Sequence, residues 1–298
     1  MSKILKILTL LNLPNIGNIK ARKLLPELED GIDMQALQLT LKTLVNIELS
    51  IERIQQAHSN ALSIIEGCQN NNMNILTGES IPNRLARFND TPLIFYVRGN
   101  QALLDEKIVA IIGSRAPTKK GVEAADKVSK FIVQTNHIIL SGLALGVDSI
   151  AHQTAVNNKK PTIAVLGSGL TNIYPKENIR LAEQIVDYGG CLISAYSPNM
   201  SVQNYQLVAR DKLQARLSSN LILIESKIDG GSMHATKEAI KLGLPIFAVD
   251  YKDEATLTCE GNNSLIKAQR AKALNFNNLD HDLSSINLNS SLKQSLFD

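Results

Sequence analysis

The chain of 298 residues carries 31 Lys and Arg against 28 Asp and Glu, a formal net charge of +3. Its content of 44% hydrophobic and 20% charged residues excludes wholesale disorder, and so small a net charge gives by itself no argument for a nucleic-acid partner. This length predicts one large domain or two smaller ones, with a core that needs no disulfide bonds.

The cysteines and histidines predict neither a disulfide framework nor a metal site. Cys68, Cys191 and Cys259 form no CxxC pair, and the five histidines are scattered. Reduced thiols are typical of cytoplasmic proteins, and we expect a cytoplasmic protein without metal or other cofactor. No apolar run approaches the ~18 residues of a membrane-spanning helix, and the apolar N-terminal stretch runs into Pro14 without a cleavage site, so we expect no membrane association.

Residues 1–72 are predicted to form a small helical domain, either helix-hairpin-helix or SAM-like. Apolar residues recur at helical spacing through 4–13, 19–28, 34–49 and 51–65. The segment Leu13–Ala21 is typical of a helix-hairpin-helix turn, whose backbone N–H groups can meet a DNA phosphate. Asn15 stands where the usual glycine would, and Asn tolerates the left-handed conformation. A plain helical hairpin fits the segment equally well.

Residues 73–270 are predicted to form an α/β domain. A strand is expected at 93–97, followed by near-continuous apolar strands at 108–112, 138–140, 162–166, 191–194, 221–225 and 246–249. Amphipathic helices are expected between most of them, at 121–134, 148–157, 179–188, 205–216 and 234–242. This alternation predicts a doubly wound, mostly parallel sheet of the extended Rossmann-like kind. Residues 271–298 are expected to be a tail, as a loosely attached helix or a disordered end.

Four turns rich in Gly and Ser follow predicted strands. They are 113–115, 141–146, 167–169 and 229–232. Because the carboxyl ends of parallel strands meet at one edge of a sheet, these turns should present many backbone N–H groups, hydroxyls and helix N-termini to one place. The sequence therefore predicts a phosphate-binding site at this edge.

Basic residues support that prediction by their positions. Arg115 follows the first turn and can bind a phosphate as a charged fork. Arg210, Lys212 and Arg216 are predicted to lie on or near one stripe of a helix. The predicted phosphate-binding residues are Gly113, Ser114, Arg115, Ser141, Gly142, Gly146, Gly169, Arg210, Lys212, Gly231, Ser232 and Lys237.

No catalytic constellation emerges from the residues. Asp148 and His152 are four apart on one predicted helix, but we predict that Asp148 caps this helix and that His152 packs or hydrogen-bonds locally. Neither a GxGxxG fingerprint nor a P-loop is present. We therefore expect no catalytic residues.

Several motifs, in order, resemble the DNA-processing protein A (DprA/Smf) family. They are VAIIGSR at 109–115, SGLALGVDSIAH at 141–152, TIAVLG at 162–167, IYPKEN at 173–178 and GNNSLI at 261–266. The resemblance implies an extended Rossmann fold that binds single-stranded DNA, forms a homodimer and helps to load the RecA recombinase onto incoming DNA during natural transformation. It implies no catalysed reaction.

The sequence departs from this family pattern at four positions near the predicted site. Leu145 replaces an arginine, Ala195 a glutamate, Leu207 an aromatic residue and Asp211 an asparagine. Tyr205, two positions before Leu207, is the nearest aromatic substitute. These departures are expected to weaken DNA binding more than they affect the fold.

Two alternatives remain open at this point. One is an enzyme or sensor that binds a small nucleotide in the same phosphate site, with Glu238 as the acid, although its place beside Lys237 predicts a solvated side chain. The other is a structural or interaction role.

Overall fold

The computed structural model describes residues 3–28, 33–252 and 257–288. The chain divides into two compact units, Met1–Val97 and Arg98–Asp298. The sequence predicted a division at residue 72, where the helical spacing of apolar residues ends in a polar run. In the structure, residues 73–97 belong to the first unit, and strand Met73–Leu76 packs on the helix before it.

The first unit consists mainly of helices around its own apolar core. Its elements are α1 (Lys3–Leu11), α2 (Asn18–Leu24), α3 (Met34–Val45), α4 (Ile51–Asn70), β1 (Met73–Leu76), α5 (Asn83–Ala86) and the start of β2 (Phe95–Gly99). Leu10, Leu24, Leu37, Leu41 and Ile54 are buried together in this core. The four predicted helical segments are therefore confirmed.

The turn between α1 and α2 has the backbone that the sequence predicted. Asn15 adopts φ +62°, in the left-handed region. The side-chain oxygen of Asn18 accepts the N–H of Leu93 at 2.8 Å, and Leu13 and Ile16 are buried. The turn is thus fixed within its own unit, and DNA contact at this turn stays a prediction.

The second unit is built on seven parallel strands. They are β3 (Ile108–Ile112), β4 (Ile138–Ser141), β5 (Thr162–Leu166), β6 (Cys191–Ser194), β7 (Asn220–Leu223), β8 (Ile246–Asp250) and β9 (Lys272–Asn275). The helices are α6 (Lys119–Val133), α7 (Val147–Asn157), α8 (Ile179–Asp187), α9 (Asn204–Leu217), α10 (Ser232–Lys241), α11 (Glu260–Lys267) and α12 (Leu279–Ser285). The spatial order of the strands is β6-β5-β4-β3-β7-β8-β9, and each neighbouring pair is parallel.

This order contains one reversal of direction, which positions the site. The chain winds outward from β3 to β6, and α9 then returns it to β7 on the other side of β3. In doubly wound sheets, ligands bind at such a switch point, beyond the carboxyl ends of the strands. The predicted fold class is confirmed, and the switch point lies between β3 and β7.

Residues 271–288 differ from the loose tail predicted for them. β9 continues the parallel sheet beside β8, and Leu279, Leu283 and Leu288 are buried in the same apolar core as α6. The leucines of this segment were visible in its composition, but their sequence spacing did not show that they reach this core. Residues 289–298 of the predicted tail lie outside the described residues.

All three cysteines are buried thiols. Burial raises the pKa of Cys68 to about 11 and that of Cys191 to about 12. Within the described ranges, no helix is long and apolar enough to cross a membrane, and no three His, Cys, Asp or Glu side chains are grouped so as to hold a metal ion.

Candidate nucleic-acid interface

A cavity of about 380 Å³ lies at the switch point. Its walls are the turn after β3, the turn after β7, part of the loop before α7, and one face of α9. The lining residues include Gly113, Ser114, Arg115, Ala144, Asp148, Arg210, Asp211, Gln214, Ser226, Lys227, Gly230, Gly231 and Ser232. We refer to it as the switch-point cavity.

The turn after β3 presents Arg115 at the cavity with its charge available. Arg115 is exposed and has no ion-pair partner among the described residues. The hydroxyl oxygen of Ser114 accepts the N–H of Ala116 at 3.1 Å, and the carbonyl of Ser114 accepts the N–H of Val147 at 3.1 Å. Gly146, at φ +77°, lies so close that any Cβ there would collide with the backbone of this turn. Gly146 therefore positions the turn rather than lining the cavity.

A buried carboxylate joins the two turns that flank the cavity. Glu225, fully buried after β7, accepts both the N–H and the hydroxyl of Thr118, the latter at 2.7 Å. Thr118 in turn caps α6 by accepting the N–H of Gly121 at 3.0 Å. The end of β7 and the beginning of α6 are thereby held together.

The turn after β7 is held by Asn262. Its side-chain oxygen accepts the N–H of Ser226 at 2.9 Å, and its amide donates to the carbonyls of Ile224 and Val249 at 2.8 and 3.0 Å. The hydroxyl of Ser232 donates to that of Ser226 at 2.7 Å. Because α10 begins at Ser232, the positive end of its dipole faces the switch-point cavity.

Arg210, the second arginine of the cavity, is surrounded by carboxylates. Only 4% of it is exposed. Its Nε lies 3.1 Å from Asp211 Oδ1, and its Nη1 lies 3.8 Å from Asp148 Oδ2. Nη1 also donates to the carbonyl of Val165 at 3.3 Å, and the guanidinium lies directly over Gly142, where a Cβ would collide with it.

Asp148 and Asp211 differ in their contacts other than Arg210. Asp148 Oδ2 accepts the N–H groups of Gly142 and Ala144 at 3.1 and 3.3 Å. The prediction that Asp148 caps α7 was wrong: it binds the turn before the helix, and Gly146 occupies the N-cap. Burial raises the pKa of Asp148, against the opposing effect of Arg210. Burial likewise raises the pKa of Asp211 to about 6, again opposed by Arg210.

His152 is buried and hydrogen-bonded locally, as the sequence predicted. Its Nδ1 lies 2.9 Å from Thr162 Oγ1, and burial lowers the pKa of the imidazole to about 3. A neutral, buried imidazole next to a strand hydroxyl is a packing feature, and it does not line the cavity.

A second, smaller cavity of about 70 Å³ adjoins the first and shares Arg115, Ala144 and Arg210 with it. Its other lining residues are Gly142, Leu145, Gly167, Ser168, Tyr174, Pro175 and Leu207. Tyr174, 43% exposed, is its one aromatic lining residue. We refer to it as the side cavity. It places an aromatic ring and an apolar wall beside two guanidinium groups.

The structure brings seven of the predicted phosphate-binding residues to these cavities. Gly113, Ser114, Arg115, Gly142, Arg210, Gly231 and Ser232 line one or both. Whether they bind phosphate stays a prediction.

Five other predicted residues are not among the described residues that line either cavity. They are Ser141, Gly146, Gly169, Lys212 and Lys237. The buried hydroxyl of Ser141 donates to the carbonyl of Ile111 at 2.7 Å, and the N–H of Gly169 donates to the carbonyl of Met200 at 2.8 Å. Lys212 is exposed about 200° around α9 from Arg210. Lys237 is exposed away from the start of α10.

Glu238 does not have the solvated position that the sequence predicted. It is buried, and its Oε1 accepts a hydrogen bond from Arg216 Nε at 2.7 Å. Glu238 and Arg216 therefore form an internal ion pair between α9 and α10. Neither residue is in the lining of the two cavities.

Sequence reasoning missed Lys227, Gln214 and Tyr174. Lys227 lines the switch-point cavity but precedes the Gly-Gly-Ser turn at 229–232 that was predicted to bind phosphate. Its position a few residues after β7 was the available signal. Gln214 lies one helical turn beyond Arg210 on the same face of α9, a spacing of four that could have identified it. Tyr174 follows the Gly/Ser turn at 167–169 by five residues, and this position together with its motif with Pro175 was the available signal.

The chain matches one protein family and several of its curated members. Residues 72–284 match the sequence profile of the family described as DNA recombination-mediator protein A. DNA processing protein DprA of Streptococcus pneumoniae is 35% identical over 165 residues, covering 55% of this chain and 58% of that protein. Protein Smf of Escherichia coli is 28% identical over 221 residues, covering 74% and 59%. The matched region thus spans less than two thirds of these relatives.

Two solved structures resemble this chain over most of its length. The X-ray structure of DprA from Streptococcus pneumoniae has a TM-score of 0.67 at 27% identity, covering 91% of this chain and 99% of that one. DNA processing protein A from Helicobacter pylori, solved to describe its single-stranded DNA binding mode, has a TM-score of 0.63 at 28% identity, covering 71% and 95%.

Proposed function

Because this chain belongs to the DNA recombination-mediator protein A family, we propose that it binds single-stranded DNA, without catalysing a reaction, in the switch-point cavity. The observation that carries the proposal is the exposed Arg115, which has no described ion-pair partner and lies between two Gly/Ser turns at the edge of a doubly wound sheet. The Helicobacter pylori relative binds single-stranded DNA.

Phosphate recognition is supported by the chemistry of the cavity wall. Arg115 and Lys227 supply exposed cations, Ser114 and Ser232 supply hydroxyls, and the N-terminus of α10 supplies a dipole. Backbone N–H groups and basic side chains of this kind fix the register of a nucleic-acid backbone without reading its sequence.

Selectivity for a single strand is supported by the side cavity. Tyr174 stands beside Arg115 and Arg210, so a nucleotide whose phosphate lies at Arg115 has an aromatic ring in reach for its base. Bases stack on aromatic side chains when they are free of a partner strand, and such stacking tolerates any sequence. Duplex DNA would have to open to use this surface.

The absence of catalysis is supported by what the acidic groups do. Asp148 holds the turn before α7 and faces Arg210, Glu238 is paired with Arg216, and His152 is buried. Among the described acidic residues of the cavity lining, only Asp211 is left as a candidate to act on a small nucleotide. Asp211 itself contacts Arg210. No observation favours the nucleotide enzyme over DNA binding.

The wider role follows from the family and belongs to the same proposal. We infer a cytoplasmic homodimer that helps to load the RecA recombinase onto single-stranded DNA during natural transformation. Sedimentation of the purified protein tests the dimer, and a pull-down with purified RecA, with and without oligonucleotide, tests the partnership.

The central experiment is a fluorescence anisotropy titration at two salt concentrations. The probes are a labelled oligothymidylate, the same sequence as a duplex, and a labelled mononucleotide. The proposal expects the single strand to bind most tightly, with an affinity that falls steeply with salt because counterions are released. Preferred binding of the mononucleotide, or an affinity independent of salt, would overturn it.

A further inference from the structure

The charges that line the switch-point cavity are unusual for a site that receives an anion. Three are cationic, from Arg115, Arg210 and Lys227, and two are acidic, from Asp148 and Asp211. Asp148 holds the turn before α7 through two backbone N–H groups. Asp211 differs, because its described contacts are Arg210 and the amide of Gln214, both on its own helix.

We propose that Asp211 is the residue that sets how tightly the switch-point cavity binds a DNA phosphodiester, its carboxylate opposing the phosphate and offsetting the charge of Arg210. The inference rests on the proposed DNA-binding function. With Asp211 charged, Arg210 lies between two carboxylates and contributes little net field. With Asp211 neutral, Arg210 balances Asp148 alone, and Arg115 and Lys227 act on the phosphate unopposed.

Because the Asp211 carboxylate is buried, its pKa lies in a range where it can be either charged or neutral near neutral pH. Asp211 is 9% exposed, and desolvation raises its pKa to about 6. The groups that face it are Arg210 on α9, Asp148 on α7, Arg115 after β3, His234 on α10 and Lys227 after β7. A bound phosphate adds a further negative charge, which favours the protonated acid. Binding of DNA is therefore expected to take up a proton and to strengthen as pH falls through about 6.

His234 on α10 also faces Asp211, so its substitution is the control for assigning a pH dependence to Asp211. The test therefore uses wild type, Asp211→Asn, His234→Gln and Asp229→Asn. Asp229 is an exposed acid of the turn after β7 that is not in the cavity lining, so its substitution makes the same charge change outside the cavity. Each protein is titrated with labelled oligothymidylate at about pH 5 and about pH 8, on either side of the pKa of Asp211.

The inference expects D211N to bind about tenfold more tightly than wild type at the higher pH, the effect of one unit charge in a partly desolvated site. At the lower pH the two should converge. His234→Gln should keep most of the pH dependence, and Asp229→Asn should behave as wild type.

Two results separate the inference from the function on which it rests. If wild type and D211N bind the oligonucleotide with equal affinity at both pH values, or if D229N tightens binding as much as D211N, Asp211 is not the determinant while DNA binding stands. If no protein binds the oligonucleotide at either pH, both proposals fall.

Discussion

Arg115 and Arg210 carry the same charge at the same cavity, but they differ in solvent exposure and in their carboxylate neighbours. Arg115, in the turn after β3, is exposed and has no ion-pair partner among the described residues. Arg210, on α9, is buried between Asp148 and Asp211. A cation in water is free to meet a ligand, whereas a buried one is first a counter-charge for its neighbours. The comparison teaches that an arginine's availability depends on its carboxylate neighbours, not on its distance from the site.

Arg210→Ala is the largest change that this contrast predicts. It leaves two buried carboxylates without their cation, so we expect the free energy of unfolding to fall by roughly 3–5 kcal/mol. Urea unfolding followed by circular dichroism measures it. Arg115→Ala is the matched control, because loss of an exposed arginine should change stability by less than about 0.5 kcal/mol. Equal stabilities for the two variants would remove the distinction between the arginines.

Arg115→Ala is expected to act on DNA binding instead. Loss of one phosphate contact should weaken binding of single-stranded DNA by about tenfold and reduce the slope of log affinity against log salt by about 0.7. Lys237→Ala, which removes an exposed cation outside both cavities, is the control. A similar loss in both variants would indicate a diffuse charge effect rather than a site at Arg115.

Tyr174→Ala tests whether the side cavity holds a base of the bound DNA. We expect binding to weaken by about 1 kcal/mol, at the low end for base stacking, with Tyr174→Phe retaining it. Tyr205, 67% exposed and outside both cavities, provides the comparison through Tyr205→Ala. If Tyr205→Ala weakens binding more than Tyr174→Ala does, the stacking residue is Tyr205 on α9 and not Tyr174.

Asp211→Asn tests the buried surroundings of Arg210 through the pH dependence of the free energy of unfolding. Because burial raises the pKa of Asp211 to about 6, above its unfolded value near 3.9, the folded state binds the extra proton and Asp211 lowers stability as pH rises through this window. His152, whose pKa burial lowers to about 3, acts in the opposite direction. The difference between wild type and D211N isolates Asp211.

That difference should be small at about pH 4 and reach roughly 2–3 kcal/mol in favour of D211N at about pH 7, since one pKa unit corresponds to about 1.4 kcal/mol. Unfolding curves at intervals across this range measure it. A difference that stays constant with pH would mean that Asp211 does not titrate in this window.

The fold was largely predictable because its signals are local. Buried parallel strands read as short apolar runs, so Ile108–Ile112, Thr162–Leu166 and Cys191–Ser194 have the predicted bounds. β9 was not predicted because Lys272–Asn275 is a partly exposed strand without an apolar run. The parallel topology also brought the turns after β3 and β7 to one place, as expected.

The candidate site was less predictable because side-chain partners come from distant parts of the chain. Nothing near Arg210 in sequence reveals Asp148, and nothing near Glu238 reveals Arg216. Lys212 was grouped with Arg210 by charge, although a separation of two residues puts it on another face of α9. Sequence shows which residues are charged, while packing decides which charges remain available.

The bond between Thr118 and Glu225 has a consequence for how the protein acquires its function. These two residues are 107 positions apart, and the cavity walls they join are equally distant along the chain. Contacts of such long range form late, after most of the chain has been ordered. A nascent or truncated chain that ends before β7 therefore has no switch-point cavity. The DNA binding that we propose therefore requires the strands from β3 to β7 to be assembled.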